Sequence, residues 1–330
     1  MDTLEDLDIN LYKKVRKNVP LAPYTTFKIG GPARYFFGTD NEKELVVILK
    51  FCKIKNIPYF VLGGGSNILV SDKGFEGLVI KILDTRYKIQ DTNIEAGAGA
   101  LISKLILETK KQDLSGLEYL TGLPGTLGGA IFGNAGSTRF GREIGDLVKK
   151  AKLLFPDGKI KEVSNNWFEF SYRHSHLKDF KDNERPIVLS AILKLKRGTK
   201  KNIEKRMNEI NTIRTKNLPK GFCAGCVFKN IEIANLHELP ANLRKLLSKD
   251  IIKGNKNKGF KIPAGWLIEQ CGLKGKKIGN AVISEQHANF IINENRARAR
   301  DIKKLIDLAR KKVFKKFNIH LEDENILVGF

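Results

Sequence analysis

The chain has 330 residues, of which 42% are hydrophobic and 29% charged, the composition of a folded globular protein. No apolar run approaches the roughly 18 residues of a membrane span, and the acidic N-terminal segment does not resemble a signal peptide, so we expect a cytoplasmic protein without membrane insertion. The formal charge of +23 raises nucleic acid as a ligand, but the basic residues are spread over many predicted helix faces. We therefore expect no nucleic-acid binding, and a positive field that attracts an anionic small substrate.

Periodicity and turn signals predict a β-rich first half with covering helices. In chain order we predict two strands around the turn at 30–32, a helix after Asn41, strands at 59–62, 68–70, 78–83 and 93–98, a helix at 101–111, a hairpin of 151–155 and 159–163, and a strand at 187–196. The helix after Asn41 has a capping-box signal in Glu44. Its predicted buried face consists of Leu45, Ile48, Leu49 and Cys52.

The second half is predicted to combine helices, short strands and a long insert. In chain order we predict a polar helix at 200–217, an insert at 231–261 with a basic surface loop at 253–259, a helix at 264–271, a strand at 290–292, an amphipathic helix at 300–317 and a strand at 326–328. These elements predict an α+β fold. We divide it into an N-terminal extension (1–18), a first domain (19–198, with subdomains of about 19–84 and 85–198), a linking helix (199–217) and a second domain (218–330).

Two glycine-rich stretches carry the strongest functional signal. Residues 121–136 read TGLPGTLGGAIFGNAG, and residues 63–67 read GGGSN after a short apolar run. Glycine removes the Cβ atom, so a ligand can approach the backbone closely. The shorter stretch precedes a predicted strand rather than a helix, which argues against a dinucleotide fingerprint of the Rossmann type. It favours a nest of backbone N–H groups around a pyrophosphate, with an ordinary tight turn as the alternative.

The four cysteines, Cys52, Cys223, Cys226 and Cys271, do not form a disulfide framework for a chain of this length. Cys223 and Cys226 have C-x-x-C spacing, but no second pair of ligands follows at comparable spacing, and the five histidines are scattered. We therefore expect no metal site.

Spaced motifs along the chain identify a family. They lie at 25–27, 29–33, 63–67, 121–136, 171–175, 225–230, 264–270, 272–275, 284–288 and 321–329. In this order they resemble the UDP-N-acetylenolpyruvoylglucosamine reductase (MurB) family of bacterial cell-wall synthesis, from about residue 19 to residue 329. No extra loop carries a substrate-covering tyrosine, so the chain is most similar to the subgroup that lacks this loop.

The resemblance implies a fold and a reaction. The first domain would be an FAD-binding half of the vanillyl-alcohol-oxidase/p-cresol-methylhydroxylase type in two α+β subdomains, and the second an α+β substrate-binding domain. The family reduces the enolpyruvyl double bond of UDP-N-acetylglucosamine-enolpyruvate and gives UDP-N-acetylmuramate for peptidoglycan. It uses non-covalent FAD and takes electrons from NADPH as co-substrate. A monomer is expected.

The resemblance also implies three sets of site residues. The expected FAD-binding residues are Thr26, Gly63, Gly64, Gly65, Ser66, Asn67, Gly122, Pro124, Gly125, Thr126, Gly129, Asn134 and Tyr172. The expected substrate-binding residues are Lys229, Asn230 and His287. The expected catalytic residues are Arg173, Cys226 and Glu324, which we expect to converge on one face of the flavin.

Each catalytic residue matches a chemical need of this reduction. Arg173 would hold the substrate carboxylate, on which charge develops, with Glu324 as an acidic neighbour. Cys226 stands where many family members have a serine as proton donor, and a thiol is a stronger acid than a hydroxyl, so the role is preserved. If the register of the C-terminal motif is shifted by two residues, Glu322 rather than Glu324 is the expected catalytic acid. His287 is alternatively a structural histidine, and Cys223 has no assigned role.

Two other functions remain as alternatives. The first is another FAD-dependent oxidase or dehydrogenase of the same superfamily, many of which attach flavin covalently through histidine. The sequence has no histidine before His174, which argues against an N-terminal attachment site. The second is a basic RNA-binding protein, against which the lack of an aromatic-rich RNA-binding strand counts.

Overall fold

The computed structural model describes residues 4, 6–137, 140–234, 237, 239–247, 251–255 and 259–330. The chain forms two compact units. The N-terminal unit comprises Met1–Val19, Pro32–Gly65 and Phe75–Lys216, and the C-terminal unit comprises Pro20–Gly31, Ser66–Gly74 and Asn217–Phe330.

Both units contain helices and strands. The helices α1 to α8 are Ile9–Tyr12, Glu42–Ile54, Ile102–Lys111, Leu127–Gly133, Lys200–Asn217, Ala241–Leu246, Ala264–Gln270 and Ala299–Phe317. The strands β1 to β21 are Arg16–Pro20, Pro32–Thr39, Tyr59–Leu62, Ile68–Val70, Phe75–Ile82, Tyr87–Gln90, Asn93–Gly97, Leu114–Ser115, Gly136–Ser137, Arg142–Glu143, Val148–Leu154, Ile160–Ser164, Ile187–Lys194, Lys196–Arg197, Ile231–Ile233, Lys253–Asn255, Gly259–Ile262, Lys277–Ile278, Ala281–Ile283, Ile291–Asn293 and Ile326–Val328.

The N-terminal unit contains two larger sheets. One has four strands in the order β1-β2-β5-β3, with β2 and β3 parallel to β5. The other has five antiparallel strands in the order β12-β11-β13-β7-β6. The predicted hairpin is confirmed: β11 pairs with β12 as far as Leu154 and Ile160, and Gly158 in the turn has φ +82°.

Helix α2 has the cap and the buried face that the sequence predicts, but not the predicted capping box. Asn41 caps it as predicted, because its side chain accepts a hydrogen bond of 2.9 Å from the N–H of Lys43. Glu44 instead accepts 2.7 Å from the Thr39 hydroxyl, and Thr39 Oγ1 also accepts 3.0 Å from the N–H of Asn41. The expected capping box is therefore replaced by contacts with Thr39. The predicted face, Leu45, Ile48, Leu49 and Cys52, is buried.

In the motif regions, one predicted strand is absent and one helix was not predicted. Residues 25–31 form no strand; the Thr25 hydroxyl donates 3.0 Å to the carbonyl of Ile29 and closes a turn. Residues 127–133, which no pattern marked as helical, form α4, which buries Leu127 and Ile131. Burial overrides the low helix propensity of the glycines in this segment.

The C-terminal unit joins segments that are far apart in sequence. The final strand β21 pairs in parallel with β4, from Ile326 opposite Ile68 to Val328 opposite Val70. Two three-stranded sheets, β18-β19-β20 and β15-β17-β16, complete it. Helix α8 packs on the first of these and buries Ile302, Leu305, Ile306, Ala309 and Val313, as its periodicity predicts.

The predicted insert is more ordered than a surface loop. Strand β15 pairs with β17, and β17 with β16, so residues 253–255 and 259–262 belong to an antiparallel sheet. Residues 256–258 of the predicted loop lie outside the described residues. Leu239, Leu243 and Ile262 are buried in the core of the C-terminal unit. The insert therefore adds to that core.

The observed division of the chain differs from the predicted domains. Segments 20–31 and 66–74 belong to the C-terminal unit, because β4 pairs with β21 and the Ser71 carbonyl accepts 2.8 Å from the N–H of Gly31. The predicted extension is part of the N-terminal unit, where Leu7 and Leu11 are buried. Among the described residues, no helix is both long and apolar enough to cross a membrane.

Candidate active site

The glycine-rich stretches of the N-terminal unit lie against each other. A Cβ at Gly64 would stand 2.6 Å from Cα of Gly125, and a Cβ at Gly63 would stand 2.9 Å from Oγ1 of Thr126. Real Cβ atoms do not approach other atoms so closely, so these glycines are required for the two stretches to pack. The sequence pattern predicted close approach, but to a ligand rather than between two stretches of backbone.

Thr126 provides an atom suited to a bound ligand. Its Oγ1 is buried and has no hydrogen-bond partner among the described residues. A buried hydroxyl without a partner costs about 1–3 kcal/mol, which a ligand acceptor would recover. Around it, a Cβ at Gly129 would meet only Thr126 Oγ1, at 3.6 Å. This side of the stretch is open for an acceptor such as a phosphate oxygen.

Lys81 on β5 places a cation beside the same loop. Its Nζ donates a hydrogen bond to the Gly63 carbonyl, and burial lowers the pKa of its ammonium group. Sequence reasoning missed Lys81, because a lysine in a predicted strand usually faces solvent. A cation, a donor hydroxyl and backbone exposed by glycine together fit the diphosphate of FAD.

Arg173 lies in a tight two-residue turn between Ser171 and His174. Its φ of +56° is unusual for a residue with a side chain and costs of order 1 kcal/mol, as is common at functional sites. The guanidinium is fixed by three neighbours in the same unit. Nη2 donates 2.9 Å to the Gly136 carbonyl, Nη1 lies 3.5 Å from Glu143, and Cζ lies 5.2 Å from the Tyr172 ring centre.

Asn134 supports this turn rather than presenting its side chain to a ligand. Its Oδ1 accepts 3.0 Å from the N–H of Gly145, and its Nδ2 donates 2.7 Å to Glu143 and 2.8 Å to the Ser171 carbonyl. The predicted contact of Asn134 with the flavin stays a prediction. Because the side-chain amide is already engaged, that contact would use the backbone of Asn134. The observed amide contacts hold Ser171 and Glu143, and both of these residues adjoin Arg173.

In the C-terminal unit, the backbone brings Cys226 and Glu324 together. The carbonyl of Val227 accepts 2.7 Å from the N–H of Glu324, and the N–H of Val227 donates 2.8 Å to the carbonyl of Asn289. Phe228 forms an isolated bridge with Asp323. The segment after Cys226 therefore runs beside the segment that carries Glu324, and both residues are half-buried.

Two asparagine amides reinforce this pairing. Asn67 Nδ2 donates 2.8 Å to the Glu324 carbonyl. Asn325 Nδ2 lies 2.7 Å from Asn67 Oδ1, 3.0 Å from the Ala224 carbonyl and 3.1 Å from the Cys226 carbonyl. The side chain of Asn67, predicted as a pyrophosphate donor, is thus engaged by the final strand segment. Asn325 was not predicted at all.

The structure separates Glu324 from its competitor Glu322. The Glu322 side chain is 73% exposed, and its carboxylate lies 3.1 Å from Lys229 Nζ. The N–H of Lys229 also donates 2.9 Å to the Glu322 carbonyl. Glu322 therefore points to solvent, which favours Glu324 as the acid of this segment. Lys229, a predicted substrate contact, has an ion-pair partner in Glu322.

Asn230 and His287 both make structural contacts. Asn230 Oδ1 accepts 3.2 Å from the N–H of Ala264, at the start of α7. His287 Nδ1 accepts 3.2 Å from the N–H of Asn289, so a neutral ring carries its proton on Nε2. A Cβ at Gly265 would stand 3.0 Å from Cε1 of the His287 ring. The structural alternative for His287 is supported, and its substrate contact stays a prediction.

The other predicted residues are divided between the units. Gly65, Gly122, Pro124 and Tyr172 belong to the N-terminal unit, and Thr26 and Ser66 to the C-terminal unit. Their ligand contacts stay predictions. No group of acidic, histidine or cysteine residues in the described ranges could hold a metal ion, and the four cysteines form no disulfide there. Burial raises the pKa of the Cys223 thiol.

Comparisons with known proteins identify two domains in the chain. Residues 33–164 match a model of an FAD-binding domain, and residues 218–328 match the C-terminal domain of UDP-N-acetylenolpyruvoylglucosamine reductase. The fold and the glycine-lined site thus define an FAD-dependent oxidoreductase.

Similar proteins narrow this class to one family. The reductase of Anoxybacillus flavithermus is 39% identical over 96% of this chain and 94% of its own length, and that of Clostridioides difficile is 35% identical over 98% of both. The crystal structure of the MurB reductase from Thermus caldophilus matches with a TM-score of 0.73 and 33% identity, over 95% of this chain and 99% of that one. The chain belongs to the UDP-N-acetylenolpyruvoylglucosamine reductase (MurB) family. The predicted family, α+β fold class and FAD cofactor are confirmed.

Proposed function

We propose that this protein uses NADPH to reduce the enolpyruvyl group of UDP-N-acetylglucosamine-enolpyruvate, giving UDP-N-acetylmuramate for peptidoglycan. The observation that carries the proposal is the backbone pairing that sets Cys226 beside Glu324, with the Val227 carbonyl 2.7 Å from the Glu324 nitrogen. A proton donor and a carboxylic acid are thereby held on adjacent segments. Bound FAD supplies the two electrons and the hydrogen that the vinyl carbon receives.

The residues that would hold the diphosphate of FAD lie around Gly63 to Gly65. Backbone N–H groups of a glycine-rich turn can bind phosphate oxygens, and Thr126 Oγ1 is a buried hydroxyl without a partner in the described chain. Lys81 contributes positive charge at the Gly63 carbonyl. This arrangement supports non-covalent binding through phosphate contacts.

Cys226 is proposed as the proton donor. When the terminal vinyl carbon gains a hydrogen with its electron pair, negative charge develops at the adjacent carbon and its carboxylate. The S–H bond of Cys226 breaks, a C–H bond forms at that adjacent carbon, and solvent later reprotonates the thiolate. A thiol is acidic enough for this transfer.

Arg173 and Glu324 are proposed to act on the substrate carboxylate. The guanidinium of Arg173 is already oriented by Gly136, Glu143 and Tyr172, so little ordering remains to be done when the carboxylate binds. Preorganised donors of this kind stabilise charge that develops during the reaction. Glu324 is the acidic neighbour, and Lys229, Asn230 and His287 remain proposed contacts of the UDP group.

A spectrum and an assay test the function. The purified protein should show flavin absorption bands, lose the flavin on denaturation, and oxidise NADPH only when UDP-N-acetylglucosamine-enolpyruvate is present, with UDP-N-acetylmuramate as product. Flavin that remains attached after denaturation, or NADPH oxidation that does not depend on this substrate, would instead favour another oxidase or dehydrogenase. A protein without flavin that binds RNA in a salt-dependent manner would contradict both.

We also propose a monomer that works in the cytoplasm, where NADPH and UDP-sugars are available. Light scattering on the flavin-loaded protein should give a mass near the 37.1 kDa of one chain. A mass of twice that value would contradict the monomer.

A further inference from the structure

We infer that Asn325 is a positioning residue that holds the Cys226 segment and the Glu324 segment in their reactive arrangement. This inference rests on the proposed roles of Cys226 and Glu324. Asn325 follows Glu324 directly, and its amide donates toward the segment that contains Cys226. Asn325 therefore acts on the reaction through these two residues and does not contact the substrate itself.

The contacts of Asn325 lie on both sides of Gly225, a glycine with a left-handed backbone. Its Nδ2 is 3.0 Å from the Ala224 carbonyl and 3.1 Å from the Cys226 carbonyl, which flank Gly225. Gly225 has φ +76°, and a Cβ there would meet nothing within 4 Å. No atom lies within 4 Å of that Cβ position, so side-chain packing there does not restrain the turn, and the N–H of Gly225 contacts the Cys223 sulfur. The Asn325 amide adds a further restraint, because it holds the carbonyls before and after the glycine.

The orientation of the amide is determined by its surroundings. Three oxygen acceptors surround Nδ2, with Asn67 Oδ1 the nearest at 2.7 Å, so only the nitrogen end of the amide fits there. The other end, Oδ1, is buried and has no hydrogen-bond partner in the part of the chain that the structure describes. An apolar residue at position 325 would avoid the cost of burying this oxygen without a hydrogen bond. The amide is therefore better explained by the contacts of its nitrogen than by packing.

Asn67 extends the restraint to Glu324. Asn67 accepts from Asn325 and donates 2.8 Å to the Glu324 carbonyl, and its own carbonyl accepts 3.0 Å from the N–H of Ile326. The two amides thus connect Cys226 and Glu324 through fixed hydrogen bonds. Connected hydrogen bonds in partly buried surroundings specify one arrangement more strongly than isolated contacts do.

The substitution Asn325→Leu removes the amide and keeps the branching and the number of non-hydrogen side-chain atoms, and Asn325→Asp keeps the shape but turns an acceptor toward the three oxygens. Asn211→Asp, at an exposed position on α5, is the matched control for the charge change. We expect both Asn325 variants to bind FAD and to be reduced by NADPH within twofold of the wild type. Oxidation of the reduced flavin by the enolpyruvyl substrate should slow at least tenfold, in kcat more than in KM. A defect in folding alone would lower flavin content and both half-reactions together.

A second measurement does not depend on the reaction. In a Cys223→Ser background, the alkylation rate of Cys226 by iodoacetamide should change at least threefold in either Asn325 variant, because the turn at Gly225 loses its restraint. Unchanged alkylation together with unchanged flavin oxidation would overturn the inference, and so would equal loss of both half-reactions. If the wild-type flavin is not oxidised by the substrate, the proposed function fails. The alkylation result then still decides whether Asn325 positions Cys226.

Discussion

The cap of helix α8 gives a quantitative test of the C-terminal unit. Arg298 precedes the helix and has no acceptor in its side chain, so the first N–H groups must be satisfied from elsewhere. Asp72, which follows β4, accepts 2.8 Å from the N–H of Ala299 and 3.0 Å from that of Arg300. Loss of such a cap costs about 1 kcal/mol, and the charge at the positive end of the helix adds some tenths. Asp72→Ala should therefore lower the unfolding free energy by about 1–2 kcal/mol.

Fluorescence of Trp266 provides the assay. Trp266 lies 6.5 Å from Phe317 of α8 between ring centres, and Trp167, the other tryptophan, lies in the N-terminal unit. Urea unfolding is measured in a Trp167→Phe background with excess FAD. Asp72→Ala should lower the unfolding free energy by the amount given above, and Asp72→Asn should lower it by about half of that amount. The control Asp182→Ala removes an aspartate that is 81% exposed in an ion pair, and should cost less than about 0.5 kcal/mol. Equal stability of Asp72→Ala and the wild type would refute the capping argument.

Three further changes test other parts of the account. Lys81→Met should weaken FAD binding about tenfold, measured by flavin fluorescence, because it removes a charged donor beside Gly63. Thr126→Val should weaken FAD binding by a similar factor and leave the apoprotein as stable as the wild type or more so, because its Oγ1 has no partner in the described chain. Cys52→Ala should flatten the loss of stability at alkaline pH. Burial raises the pKa of Cys52 from 9.0 to about 12. Above pH 9 the thiol therefore loses its proton in the unfolded chain but keeps it in the folded chain. Unfolding is then favoured by up to about 1.4 kcal/mol per pH unit.

Each of these expectations has a contrary outcome. FAD affinity of Lys81→Met equal to that of Lys81→Arg would show that charge at this position is irrelevant. Tighter FAD binding by Thr126→Val would mean that the hydroxyl does not face the cofactor. The same pH slope in Cys52→Ala and the wild type between pH 9 and 11 would show that the thiol does not control alkaline stability.

Regular elements with a one-sided apolar pattern were predictable from the sequence. Helices α2 and α8 have the predicted buried faces, because burial of one stripe decides where such helices form. Helix α4 was not predictable, because its glycines oppose helix formation and only packing around Leu127 and Ile131 sustains it. The assignment of residues 66–74 to the C-terminal unit depends on the pairing of β4 with β21, which no local pattern records.

In the candidate site, too, some residues were predictable from the sequence and others were not. The motifs indicated Cys226, Glu324 and Arg173, and the structure shows the contacts that fix each of them. Asn325 and Lys81 gave no signal, because an asparagine after an acidic turn and a lysine in a strand are ordinary surface residues in sequence. Their proposed roles depend on acceptors contributed by segments distant in sequence, the carbonyls of Cys226 and Gly63.

The central claim is that Cys226 donates a proton to the reduced substrate, and single-turnover kinetics tests it most directly. In Cys226→Ala, NADPH should reduce the bound flavin at nearly the wild-type rate, whereas oxidation by the enolpyruvyl substrate should slow by about 10²–10⁴-fold. Cys226→Ser should recover much of that rate, because a hydroxyl also has a transferable proton. Oxidation of the reduced flavin in Cys226→Ala at the wild-type rate would contradict the claim.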